Sequence, residues 1–249
     1  PLTQTNLADY PTTPATAAGQ TNKIGGLIVI APNVQKVATG YTGRRAIVTD
    51  AKCNACHQEL GAFTEEAFHG GQRNDGTTCS WCHTPNRASS GWSADSAAFV
   101  HAIHAAAKRT VSYNWHAASA DEGYWKIGYP GVLNQCETCH IAGTYDFSAS
   151  ASAAAQDLRQ YRTVASGTLA AAVSNSPYIT VGTAYGSGFA FAGATGTTTE
   201  AAATTLVTSP TATACFACHD SNEAVAHYKI NGGSIYAPRS TALTTTETC

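Results

Sequence analysis

The stretch Cys53-Asn-Ala-Cys56-His57 decides the reading of this chain, because its pattern returns at Cys79-Ser-Trp-Cys82-His83, Cys136-Glu-Thr-Cys139-His140 and Cys215-Phe-Ala-Cys218-His219. Eight of the nine cysteines fall into these four Cys-x-x-Cys pairs, and histidine follows every pair although it is only 9 of 249 residues. Two thiols about one helical turn apart reach the two vinyl groups of one porphyrin, and the adjoining imidazole then lies under the ring to bind iron. Cys53, Cys56, Cys79, Cys82, Cys136, Cys139, Cys215 and Cys218 are thus the expected thioether positions of at least four haem c groups. His57, His83, His140 and His219 are the expected proximal ligands. Cys53/Cys56 with Cys79/Cys82 would also have plausible spacing for a four-thiolate zinc site, but zinc does not require a histidine after every second cysteine. A thioredoxin-like dithiol needs one such pair, not four.

Composition agrees with a cofactor-built core. Leu, Ile, Val and Phe number 38 of 249 residues, about 15 %, which is below the level at which a chain builds an ordinary core. The formal charge of −2 excludes disorder driven by charge. The missing apolar volume is assigned to haem. Two propionates per haem, against one net positive charge at each ferric centre, would bring the holoprotein to about −6, which argues against nucleic acid as a partner. No apolar run reaches bilayer-spanning length, and the chain opens on no signal-peptide pattern. Haem is attached through thioethers on the export side, so the compartment is the periplasm, the cell surface or the extracellular space. Methionine is absent, which removes the usual sixth ligand of electron-carrying cytochromes c and points to bis-histidine iron.

The expected fold is a multihaem cytochrome c of low regular secondary structure. Short helices and loops surround stacked haems, with short β-strands near the N-terminus and in a hairpin insertion. Residues 1–50 read as linker and β lead-in, or the edge of a preceding β domain: residues 11–20 are Pro/Thr/Ala-rich, and residues 24–30 and 44–49 read as strands. Residues 51–249 read as the multihaem domain, interrupted by a haem-poor insertion at about 141–214. Within it, residues 178–181 and 189–191 alternate around Gly186 and Gly188 as a hairpin. Asn231-Gly-Gly233 marks a turn.

Five histidines remain for the distal positions: His69, His101, His104, His116 and His227. His101 and His104 lie on an expected helix over residues 93–109, with Ser93 or Asp95 as N-cap and Lys108/Arg109 near its end. Three residues apart, they project about 60° from each other and suit two neighbouring haems. His69 sits in a short turn closed by Gly70 and Gly71, where a ring edge could approach closely. His116 and His227 carry weaker local signals. Trp81, Trp92, Trp115 and Trp125, with Tyr113, Tyr124 and Tyr129, are expected to pack on porphyrin rather than relay electrons.

Several further residues resemble the outer-membrane decahaem c-type cytochromes of the OmcA/MtrC family. The resemblance runs from about Arg44 to Cys249. It rests on Leu60 after the first motif, His69-Gly-Gly with Arg73, Cys82-His83-Thr-Pro-Asn, His101-Ala-Ile-His104 and Ile127-Gly-Tyr-Pro-Gly131. Gly143-Thr-Tyr145, Ser209-Pro210, His219-Asp220, His227 and Gly232-Gly-Ser-Ile-Tyr236 continue it. It implies a pentahaem module of a cell-surface protein that passes electrons to metal oxides, soluble shuttles or another cytochrome. Such a module has five motifs. Four are complete here, and Glu247-Thr-Cys249 resembles the start of a fifth, so Cys249 is the expected first thioether of a partly attached or shared fifth haem.

Three functions compete on these residues. The first is a cell-surface conduit whose partners are other multihaem cytochromes and extracellular acceptors. The second is a subunit of an extracellular cytochrome filament, whose partners are identical subunits sharing haem sites. The third is a multihaem reductase, which needs an iron with an open face. Enough distal histidines are present to close every site, which counts against a dedicated substrate site.

Overall fold

A computed structural model describes residues 46–57, 60, 76–157 and 160–248. The expected linker at residues 11–20, the expected strand at residues 24–30, His69 and Cys249 lie outside these residues. The chain divides into two compact units, residues 1–78 with 137–144 and residues 79–136 with 145–249.

In the first unit, helix α1 (Asp50–His57) carries the first motif. The Lys52 and Cys53 amides close onto Thr49 O, and Asp50 Oδ1 accepts the Gly76 amide at 2.6 Å. No residue of α1 is buried. The strand expected over residues 44–49 does not form in its described part. Instead one antiparallel bridge joins Val48 to His140, because α1 begins two residues later and leaves no room for a longer ladder.

The second unit opens with a two-stranded ribbon, β1 (Ala88–Ser89) and β2 (Trp92–Ser93), turning through Ser90 and Gly91, both at positive φ. Helix α2 (Ser96–His104) follows, shorter than the expected 93–109 run, and a 3-10 turn (Ala106–Lys108) completes it. Asp95 is the N-cap, its carboxylate accepting the Ala97 and Ala98 amides; Ser93 belongs to β2 instead. The unit continues with α3 (Ala149–Asp157), β3 (Arg162–Ala165), β4 (Gly167–Thr168), β5 (Ala184–Tyr185), β6 (Ala190–Ala192), β7 (Thr197–Thr199) and β8 (Leu206–Thr208). Then come α4 (Pro210–Phe216), α5 (Asn222–Ile230), β9 (Ala237–Pro238) and α6 (Arg239–Ala242).

Strands β3, β8 and β9 form an antiparallel sheet in the order β3-β8-β9. The β3/β8 pair closes the base of the insertion, from which two ribbons project, β4/β5 and β6/β7. The hairpin signal was therefore right in kind and misplaced in position. Residues 178–181 lie in turns and β6 pairs with β7, because Tyr178 is drawn inward against Trp92, Phe216 and Tyr236 rather than alternating along a strand. The buried apolar groups are small and aromatic-rich. One holds Trp92, Ala94, Ala102, Tyr113, Trp115 and Ala217; another holds Ala212, Phe216, Tyr228 and Ile235. Short helices and short antiparallel strands thus make up the fold, and the apolar clusters take in Phe216 and Ala217 of the fourth motif.

Candidate functional site

Each motif must present two thiols and one imidazole to the same side. In α1 the intervals of three and four residues put Cys53, Cys56 and His57 on one face. The second motif closes the same way, with Cys82 N to Cys79 O at 3.2 Å and His83 N to Cys79 O at 2.9 Å. The fourth repeats it, with Cys218 N to Cys215 O at 3.1 Å and His219 N to Cys215 O at 2.8 Å. The third motif contains a 3-10 turn (Cys136–Thr138) and ends in the Val48–His140 bridge. None of these eight cysteines is buried.

Three histidine rings are anchored through Nδ1. His83 Nδ1 lies 2.8 Å from Ala94 O, His101 Nδ1 2.7 Å from Ala97 O, and His104 Nδ1 2.7 Å from Val100 O. A carbonyl only accepts, so Nδ1 carries the proton in each neutral ring and Nε2 keeps the lone pair a metal needs. Burial first, and the Lys52 charge second, hold His140 below the usual histidine range and favour its neutral form. Partial burial likewise pushes the Cys139 and Cys218 thiols up.

The remaining candidates differ in support. His116 takes φ 52°, which a non-glycine residue rarely adopts, and packs edge-on against Trp115 at 4.1 Å. His227 is on α5, where its Nδ1 lies 3.3 Å from Asn231 Nδ2, a longer and different contact from the carbonyl anchors. His104 meets Tyr129 edge-on at 5.8 Å. Among the described residues no group of three or more His, Cys, Asp and Glu side chains is gathered to hold a metal ion.

The polypeptide also leaves apolar side chains exposed beside the motifs. Trp81, inside the second motif, is 69 % exposed; Val132 and Leu133 precede the third; Ile230, one turn beyond His227, is 84 % exposed. Exposed apolar residues at these places fit a large flat apolar group laid over the attachment turns. Together with the one-sided thiols and the Nε2 lone pairs, they fit haem c.

Sequence reasoning missed the residues that fix these turns. Arg109 donates from Nη1 to Phe216 O and Ala217 O, between the cysteines of the fourth motif, and pairs with Asp220. Asn114 accepts from Trp92 Nε1 and donates to Val173 O and Asn175 O, tying the insertion to the aromatic cluster. The only local hints were a basic residue near a helix end and an acidic one directly after a motif histidine.

Paired thiols followed by an imidazole on a helical turn define a c-type cytochrome. The chain belongs to the outer membrane cytochrome MtrC/MtrF-like family, whose model for domains II/IV matches residues 45–249. No curated protein and no solved structure matches it. The cofactor of the family is haem c and its function is outer-membrane electron transfer. No helix among the described residues is long and apolar enough to cross a membrane.

Proposed function

We propose that this chain is a cell-surface electron conduit in which residues 51–249 form a haem domain, with residues 1–50 as its lead-in. Cys53/Cys56, Cys79/Cys82, Cys136/Cys139 and Cys215/Cys218 hold four haems, with His57, His83, His140 and His219 as proximal ligands. Distal ligands are drawn from His69, His101, His104, His116 and His227, and Cys249 serves a fifth site. Haem c, when bound, supplies one-electron exchange between ferric and ferrous iron. The protein's part is to hold the imidazoles, exclude open coordination and bring neighbouring sites close. Acceptors are extracellular, such as metal oxides, and partners are other multihaem cytochromes.

The observation that carries this reading is the shared anchoring of His83, His101 and His104, each donating from Nδ1 to a backbone carbonyl. Such rings are oriented ligands before iron arrives. A redox enzyme would keep one iron open instead.

The test combines spin state with turnover. Electron paramagnetic resonance of the oxidised protein is expected to show low-spin ferric iron throughout. The reduced protein is expected to be fully reoxidised by ferric oxide or a soluble ferric chelate. A dominant high-spin signal, with reoxidation by nitrite or sulfite and not by ferric iron, would overturn the conduit reading.

A further inference from the structure

Arg109 and Asp220 form an ion pair at 3.2 Å in which each side chain is 1 % exposed. Asp220 directly follows His219 and also accepts the Thr110 amide at 2.7 Å and the Val111 amide at 2.8 Å. Besides its bonds of 3.0 and 2.7 Å to Phe216 O and Ala217 O, Arg109 donates from Nε to Val111 O at 3.2 Å. Its guanidinium faces the rings of Phe216, Tyr113 and Trp92 at 5.5, 5.7 and 5.9 Å. Ala217, within the same motif, packs in one cluster with Ala102 of α2. Apolar residues of equal volume often serve stability as well as a buried ion pair does, so stability alone accounts poorly for this one.

We propose that Arg109 and Asp220 are positioning residues for the fourth attachment site, locking the turn 215–219 against the segment that carries His101 and His104 and presenting to the haem held there two opposed charges, so that loss of either one alone shifts its reduction potential. The proposal rests on the haem reading of residues 215–219. Oxidation adds one positive charge at iron, so a nearby carboxylate favours the ferric state and a nearby guanidinium the ferrous state. In the intact pair the two influences oppose each other.

The test is a redox titration of the holoprotein above neutral pH, followed by paramagnetic NMR, which resolves haems individually. Asp220→Asn leaves the guanidinium uncompensated and is expected to raise the potential of one haem. Arg109→Gln leaves the carboxylate and is expected to lower it, and the double variant is expected to return close to the parent value. A loosened structural contact gives no such pair of opposite signs. Arg109→Lys keeps the charge but loses the forked bonds, so it is expected to hold the potential while shifting the resonance anisotropy of that haem. If Arg109→Gln fails to fold, Arg109→Lys and Asp220→Asn carry the comparison. Haem present on the Cys215/Cys218 peptide, with Asp220→Asn failing to raise the potential or a folded Arg109→Gln failing to lower it, overturns the proposal alone. A Cys215/Cys218 peptide without haem overturns the attachment reading and the proposal with it.

Discussion

Arg162 Nε lies 3.1 Å from Asp95 Oδ1, the same oxygen that accepts the Ala97 and Ala98 amides at 2.9 and 3.2 Å. One carboxylate therefore caps the helix bearing His101 and His104 and pins it to strand β3. Asp95→Ala removes the cap and leaves a largely buried guanidinium unpaired, at a cost of about 3–5 kcal/mol. Asp95→Asn keeps an oxygen for the helix amides and is expected to cost less. Urea unfolding of both variants checks this. Midpoints equal to the parent in both would contradict it.

His101 and His104 bond to the carbonyls of Ala97 and Val100, each four residues back, and project in different directions from α2. Replacing either by alanine is expected to convert one haem to high-spin and leave the others low-spin, as counted by electron paramagnetic resonance. A variant in which every haem stays low-spin would reduce that histidine to a structural role.

The helix that carries these histidines was legible because its signal is local: an Ala-rich run and an acidic cap fall within one short segment. The motif turns were legible for the same reason, as was the Asn231-Gly-Gly233 turn, where Gly232 takes φ 78°. What the sequence hid is non-local. The Arg109–Asp220 pair, the Val48–His140 bridge and the β3/β8 pairing each join residues tens of positions apart, and none carries a periodic mark. The insertion misled because Tyr178 and Ile179 are apolar for packing, not for strand alternation. Tyr178 meets Trp92, and Ile179 lies against Gly91, where a side chain would clash.

Glu247 illustrates a third kind of concealment, an acidic side chain that is 0 % exposed. Its Oε1 accepts Ser209 Oγ at 2.9 Å and the Ala212 amide at 2.5 Å, and its Oε2 accepts the Thr211 amide at 2.9 Å, capping α4, which leads into the fourth motif. Glu247→Ala strands these donors and is expected to cost roughly 2–3 kcal/mol. Glu247→Gln, which turns an amide group toward donors, is expected to fall between. Chemical denaturation gives the order, and equal stability of all three proteins would contradict it.

Burial, with the Asp220 charge adding to it and Arg109 opposing, pushes the Tyr178 hydroxyl up from 10.0 to about 12. Burial also raises Tyr113 and Tyr236. A folded pKa above the unfolded value means that folding favours the neutral phenol. That contribution is complete below pH 10.0 and is lost as pH rises toward about 12. Melting temperature is expected to fall across that window for the parent and less steeply for Tyr178→Phe. A parent profile that stays flat through it would contradict the assignment.

The most direct test of the central claim is mass spectrometry of the denatured protein and its proteolytic peptides, using material matured by export machinery competent in haem attachment. Each of the peptides containing Cys53/Cys56, Cys79/Cys82, Cys136/Cys139 and Cys215/Cys218 is predicted to carry one haem through two thioethers. Any of these peptides recovered with two unmodified thiols, or joined as a disulfide, would contradict it.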